Sequence, residues 1–304
     1  MKTKCKSIVR AAYHSFGGVV CAGVVMLIAS SAQAQNLFVS DFGSSIMYKY
    51  TPGGVRSTFA SSGLYWPFGL AFNSAGNLFE ADSGSGKIYE FTPGGTRSTF
   101  ASGLDVPHGL AFNSAGDLFV ADQDSGKIYE FTPGGVSSTF ASGLDDPNGL
   151  AFNSAGDLFE SDELSGNIYE FTPGGVRSTF ASGLSYNNGL AFNSAGDLFV
   201  ADGGSGKIYE FTPGGTRSTF ASGLGQTIGL AFNSTGNLFV TVLFDGNIYE
   251  YTPGGVRSTF ASGLDDPGYL AFQGESLPVP EPSALGLLAV GAIALLVRRR
   301  NLAD

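Results

Sequence analysis

From Asn36 to Phe272 the chain alternates short apolar runs with short, polar, glycine-ended breaks, and the whole pattern returns about every 40 residues. Its clearest landmark, TPGG, begins at Thr51, Thr92, Thr132, Thr172, Thr212 and Thr252, a spacing of 41 residues once and 40 thereafter. The extra residue is the doubled Ser61–Ser62 of the first copy. In the copy that starts at Gly109, GLAF (109–112) is an apolar run and NSAG (113–116) a polar turn. DLFVAD (117–122) and KIYEFT (127–132) alternate apolar and polar positions, with QDSG (123–126) between them. PGG (133–135) follows, and SSTFAS (137–142) is the fourth run. Period-two alternation rich in β-branched and aromatic residues predicts strands, and proline followed by glycine predicts tight turns. No stretch of the repeats carries a helical period long enough to compete. Four strands per unit at this period predict one propeller blade per copy.

The chain enters the pattern in a second-strand sequence, NLFVSD (36–41), and leaves it in a first-strand sequence, YLAF (269–272). Six of each strand type are present, which makes 24 strands. The expectation is an all-β, six-bladed propeller of four-stranded antiparallel blades, with the last strand completing the first blade and sealing the sheet edges. In such blades the turns after strands one and three share one face of the disc. Here they are nearly constant: NSAG changes only at Thr235, and TPGG never changes. The turns after strands two and four share the other face, and they differ in every copy. After strand two they read FGSS, SGSG, QDSG, ELSG, GGSG and LFDG; between blades they read LYWPF, LDVPH, LDDPN, LSYNN, LGQTI and LDDPG. One face is uniform and the other individual, and loops on a rigid scaffold are where recognition usually sits. The variable face is expected to surround the mouth of the central channel. Phe68, His108, Asn148, Asn188, Ile228 and Gly268 enter the innermost strands there. Around them lie Tyr65, Trp66 and Tyr186, with Asp105, Asp145, Asp146, Asp265 and Asp266. Aromatic rings beside amides and carboxylates suit a glycan or a cation, which makes Tyr65, Trp66, Phe68, His108, Asp146, Asn148, Tyr186 and Asn188 the ligand-binding candidates.

PHGLAFNSAGDLFVADQDSGKIYEF resembles the NHL repeat, and the resemblance extends over essentially all of residues 36–272. It implies the same six-bladed fold. The C-terminal sequence VPEPSALGLLAVGAIALLVRRR resembles the PEP-CTERM sorting signal of Gram-negative, exopolysaccharide-producing bacteria. Its carriers are Pro280, Glu281 and Pro282, an apolar run from Ala284 to Val297, and Arg298, Arg299 and Arg300. That resemblance implies cleavage by an exosortase after export, and a transient inner-membrane stage before release to the cell surface or matrix. The short apolar run followed by arginines fits a brief span with its basic end in the cytoplasm.

The N-terminus adds a secretory leader: Lys2, Lys4, Lys6 and Arg10, an apolar stretch from Gly17 to Ala29, and a small-x-small site at Ala32 and Ala34. The expected organisation is a signal peptide (1–34), a propeller (35–274), a Pro-rich linker (275–282) and a sorting segment (283–304), with a short hydrophobic helix at each end. Both cysteines, Cys5 and Cys21, fall in the leader, so the exported domain depends on its core rather than on disulfides. Region 35–279 holds nine basic and 24 acidic residues, a formal charge of −15. So acidic a surface excludes nucleic acid as a natural partner and leaves cations, cationic polymers and neutral glycans. A monomer is expected.

For chemistry, His108 is the only histidine outside the leader. Related six-bladed propellers include metal-dependent lyases, which resemble this chain at PHGL but need a further histidine, and lactonases, which use a carboxylate with asparagines. Asn148 and Asn188 fit two of those lactonase positions, and Asp146 is the nearest carboxylate. No cofactor is expected beyond a divalent cation held by these three. Asp41, Asp82, Asp122, Asp162 and Asp202 end second strands, and Lys87, Lys127 and Lys207 open third strands. Their recurrence marks blade-building pairs or turn caps. Glu80 and Glu160 replace the valine of the other copies and are expected to border a wet channel or to pair locally. No Ser-His-Asp set, phosphate loop or CxxC occurs in the region. The reading that results is an exported, non-enzymatic binding or scaffold module, with a metal-dependent lactonase or lyase as the alternative.

Overall fold

The structure, a computed structural model, describes residues 35–274. The predicted signal peptide, linker, sorting segment and terminal helices lie outside the described residues.

Twenty-four strands form six four-stranded antiparallel sheets. The closing blade joins β24 (Pro267–Phe272) to β1 (Leu37–Asp41), β2 (Ile46–Tyr50) and β3 (Arg56–Ala60), so the ring is sealed as the sequence predicts. The other innermost strands are β4 (Pro67–Phe72), β8 (Pro107–Phe112), β12 (Pro147–Phe152), β16 (Asn187–Phe192) and β20 (Thr227–Phe232). Each inner strand starts two residues before the GLAF run, because a β-bulge sets residues 108–109 and their equivalents against a single residue of the second strand. Bulges of this kind re-aim side chains beside sites.

The core lies between blades. Phe79, Ala81 and Ile88 of one blade pack on Leu110, Phe112, Leu118, Val120 and Phe131 of the next, and the same set recurs around the ring. Phe79 meets Phe100 and Phe112 edge-on at 5.0 Å, a trio repeated at Phe119, Phe159, Phe199 and Phe239. Such aromatic pairs add about 0.5–1.5 kcal/mol each beyond area burial. Phe91, Phe131 and Phe171 are buried between blades, Tyr89 is buried with them, and Tyr129 and Tyr169 pack partly buried against the same clusters, with the guanidinium groups of Arg97 and Arg177 over the Tyr89 and Tyr169 rings at 4.6 and 5.0 Å.

Inner strands approach each other too closely for a side chain. A Cβ on Gly109 would fall 2.1 Å from the carbonyl oxygen of Asn148, and on Gly69 it would collide with that of His108. Five blades therefore carry glycine at this position. The sixth carries Tyr269.

Candidate functional site

The variable face is built by a repeated clamp. The carboxylates of Asp82, Asp122, Asp162, Asp202 and Asp41 accept the backbone N–H of residues 65, 105, 145, 185 and 265 at 2.6–2.9 Å. These aspartates are therefore turn caps, one of the two roles their recurrence suggested. The clamp holds the loop entering the inner strand in these five blades, and in each of them the very next residue turns left-handed. Trp66, Val106, Asp146, Tyr186 and Asp266 have φ between 49° and 62°, a region that costs L-residues about 1–2 kcal/mol each. In the sixth blade Val242 stands where the carboxylate would be, and Gln226 keeps an ordinary φ. The left-handed turn aims its side chain outward: Trp66 and Tyr186 are 54% and 53% exposed. Tyr65 stacks on Trp66 with ring centroids 5.2 Å apart and planes 16° from parallel. Asp146 also sits here, its carboxyl raised above the usual range by partial burial and by Asp124, Asp145 and Asp162 nearby.

Inside this ring the structure differs from expectation. Side chains fill the middle of the variable face. Ile228, Leu243 and Tyr269 pack together there with Phe42 and Phe68, and Phe68 stacks on His108 at 4.2 Å. Tyr269 crosses the ring to the far blade, its hydroxyl donating to Asn148 Oδ1 at 2.8 Å. Asn148 Nδ2 in turn donates to Glu163 Oε2 at 2.6 Å and to Asn188 Oδ1 at 3.0 Å. Asn188 Nδ2 donates to the carbonyls of Tyr186 and Thr227. Burial holds the Tyr269 hydroxyl well above its ordinary pKa, with the carboxylates of Glu163 and Glu160 acting in the same direction. Burial likewise pulls His108 down to about 4, and its Nδ1 is enclosed without a partner, so the imidazole is neutral at physiological pH.

Phe68, His108, Asn148 and Asn188 are thus brought together as the sequence suggests, whereas Tyr65, Trp66 and Tyr186 lie outside them on the surface. Tyr269 and Glu163 were missed. The signal for Tyr269 was present, since after its variable residue, Gly268, this copy reads YLAF where the others read GLAF. Asn148 Oδ1 accepts from the Tyr269 hydroxyl and Asn188 Oδ1 from Asn148 Nδ2, so a metal at either oxygen would compete with a protein donor. Among the described residues no group of three or more His, Cys, Asp or Glu is placed to hold a metal ion.

The open end of the channel is on the uniform face. A cavity of about 380 Å³ runs along the inner strands, lined by Leu70, Ala71 and Phe72 and their equivalents, with Tyr269 among its lining residues and Gln35 and Gly274 at its edge. Glu80 and Glu160 border neither opening. Both are fully buried, and none of their four carboxyl oxygens has a hydrogen-bond partner. Glu80 lies in register between Leu70 and Tyr89, and Glu160 between Leu150 and Tyr169. Burial raises both carboxyls well above the glutamate range, Asp82 and Asp162 push the same way, and Arg97 and Arg177 oppose weakly.

Residues 278–300 match the family described as the PEP-CTERM protein-sorting motif. No curated protein matches the chain by sequence. Among solved structures, the chain is similar to one in a nidogen/laminin complex, with TM-score 0.72 and 19% identity over 79% of this chain and 98% of that one. It is also similar to a catalytically inactive virginiamycin B lyase from Staphylococcus aureus with quinupristin, with TM-score 0.63 and 13% identity over 81% and 94%. A candidate gluconolactonase gives TM-score 0.62 and 19% identity over 69% and 82%. At these identities the likeness is one of fold. The sorting motif implies exosortase processing, export and cell-surface sorting in a Gram-negative bacterium. The chain is a six-bladed β-propeller carrying a PEP-CTERM sorting motif.

Proposed function

We propose that this propeller is a non-enzymatic binding or scaffold module of an exopolysaccharide-associated layer, built of NHL-type repeats and engaging a glycan through its variable face. The signal peptide would be removed after Ala34, and the tail processed near Pro280–Pro282. The observation that carries this reading is the stacked, exposed Tyr65–Trp66 pair. Two parallel aromatic faces on a backbone held out of its ordinary conformation form a preorganised platform for sugar C–H groups. The acidic side chains around it favour a neutral or amino-bearing polymer over an anionic one. The centre of the ring supports the same reading, since Tyr269, Asn148, Asn188 and Glu163 satisfy one another and fill the space a substrate would need.

A glycan array together with metal analysis tests this. Binding lost in Trp66→Ala and kept in His108→Ala is the expected result. Unchanged binding after every variable loop is replaced by SGSG would discard the rim as the site. A stoichiometric metal that disappears in Asn148→Ala would move the protein to the lactonase reading.

A further inference from the structure

Both ends of the described chain leave from the same face. β1 begins and β24 ends at the uniform side, where Gln273 N–H donates to Asn36 O at 2.9 Å and Asn36 Nδ2 to Gln273 Oε1 at 3.0 Å. Gln35 accepts from Ser234 N–H in a uniform-face turn, and Gly274 sits at the edge of the central cavity. The last described residue, Gly274, therefore lies near the middle of the uniform face. Nine residues, 275–283, separate Gly274 from the apolar run. Fully extended they reach about 30 Å.

That length is decisive. To lay the variable face on a membrane, the tether would first have to pass from an inner to an outer strand, about 14 Å at ordinary strand spacing, and then across the disc, about 17 Å for a five-residue strand. Nothing would remain to reach the bilayer.

We propose that, while the tail is retained, the uniform face is held against the membrane and the variable face is presented away from it. The inference rests on the display reading above and extends it: the tether itself orients the recognition surface.

The test uses the full chain, with Cys5→Ser and Cys21→Ala, expressed in a host that lacks an exosortase. Single cysteines are placed at Ala115→Cys, exposed in a uniform-face turn, and Phe244→Cys, 77% exposed on the variable face. Spheroplasts are labelled with a bulky polyethylene-glycol maleimide, and the same membranes are labelled again after detergent release. The expected result is equal labelling in detergent, with the Ala115→Cys site several-fold slower than Phe244→Cys in membranes. Equal rates in membranes, the reverse order, or recovery of the chain in the soluble fraction would each overturn the proposal. None of these outcomes bears on glycan binding by the released propeller, so the two readings fail separately.

Discussion

Replacing both buried glutamates by the residue of the sister blades, Glu80→Val with Glu160→Val, should stabilise the propeller and change its response to pH. Val39, Val120, Val200 and Val240 occupy the same register position with no exposure, so the interface between blades already accommodates valine there. Even as a neutral acid, each glutamate leaves a buried polar group unsatisfied, which costs about 1–3 kcal/mol. Ionisation costs more. A carboxyl whose folded pKa is raised keeps its full stability below the ordinary glutamate value and loses it as pH rises toward the folded value. Over that interval each group removes about 1.4 kcal/mol per pH unit, and the pair about 2.7. Urea unfolding followed by circular dichroism between about pH 5 and pH 8 measures the slope. The wild type should lose stability with rising pH. The double variant should start higher and fall less, so that the gap widens with pH. Parallel lines, or a variant that unfolds at lower urea, would refute the assignment of these carboxyls to a dry, partnerless interface.

Two further outcomes follow from the inner ring. Gly109→Ala places a Cβ 2.1 Å from the Asn148 carbonyl and should cost 3 kcal/mol or more (roughly, as for overpacking), whereas Gly143→Ala, with nothing nearby and φ of 70°, should cost only about 1–2 kcal/mol by denaturant melts. Tyr269→Phe removes the donor to Asn148 Oδ1 without altering the ring packing, and should lower unfolding stability by about 1–2 kcal/mol while the propeller stays folded.

The blades, their closure and the two unlike faces were legible because they rest on local patterning. Alternation such as Ile128/Glu130 against Tyr129/Phe131 fixes which side chains face a neighbouring blade, and the split of one blade between the chain ends is written in NLFVSD and YLAF. The centre was less legible because its geometry depends on strands far apart in the chain. The bulge at His108–Gly109 cannot be counted from alternation alone, and a tyrosine at 269 acquires meaning only once the other five inner strands are seen to need glycine. Glu80 and Glu160 were visible as exceptions. Their environment was not, since a glutamate in a valine position reads equally as a wet wall or a dry interface until the adjoining blade is in place.

The uniform face stays constant for a physical reason, and the same reason frees the other face to vary. The Cβ position of Gly116 lies 3.8 Å from Pro133 Cγ, and that of Gly135 lies 3.7 Å from the carbonyl oxygen of Phe100 in the preceding blade. Each NSAG turn thus touches the TPGG turn of its own blade, and every TPGG turn except the last touches the preceding blade, so a change in either disturbs a neighbour. On the variable face the constraint falls on the backbone instead. Gly86, Gly126, Gly166, Gly206 and Gly246 are fixed because a Cβ there would run into the carbonyl oxygen of the following loop's leucine, and those leucines donate their N–H to the same glycines. The aspartate clamp likewise grips an N–H and not a side chain. What remains free to vary is the side chain at the left-handed position after each clamped residue, where tryptophan, valine, aspartate and tyrosine all occur. A propeller of this construction can exchange its recognition residues one by one without disturbing a single inter-blade contact, which makes the variable face the place where selection for a ligand would leave its mark.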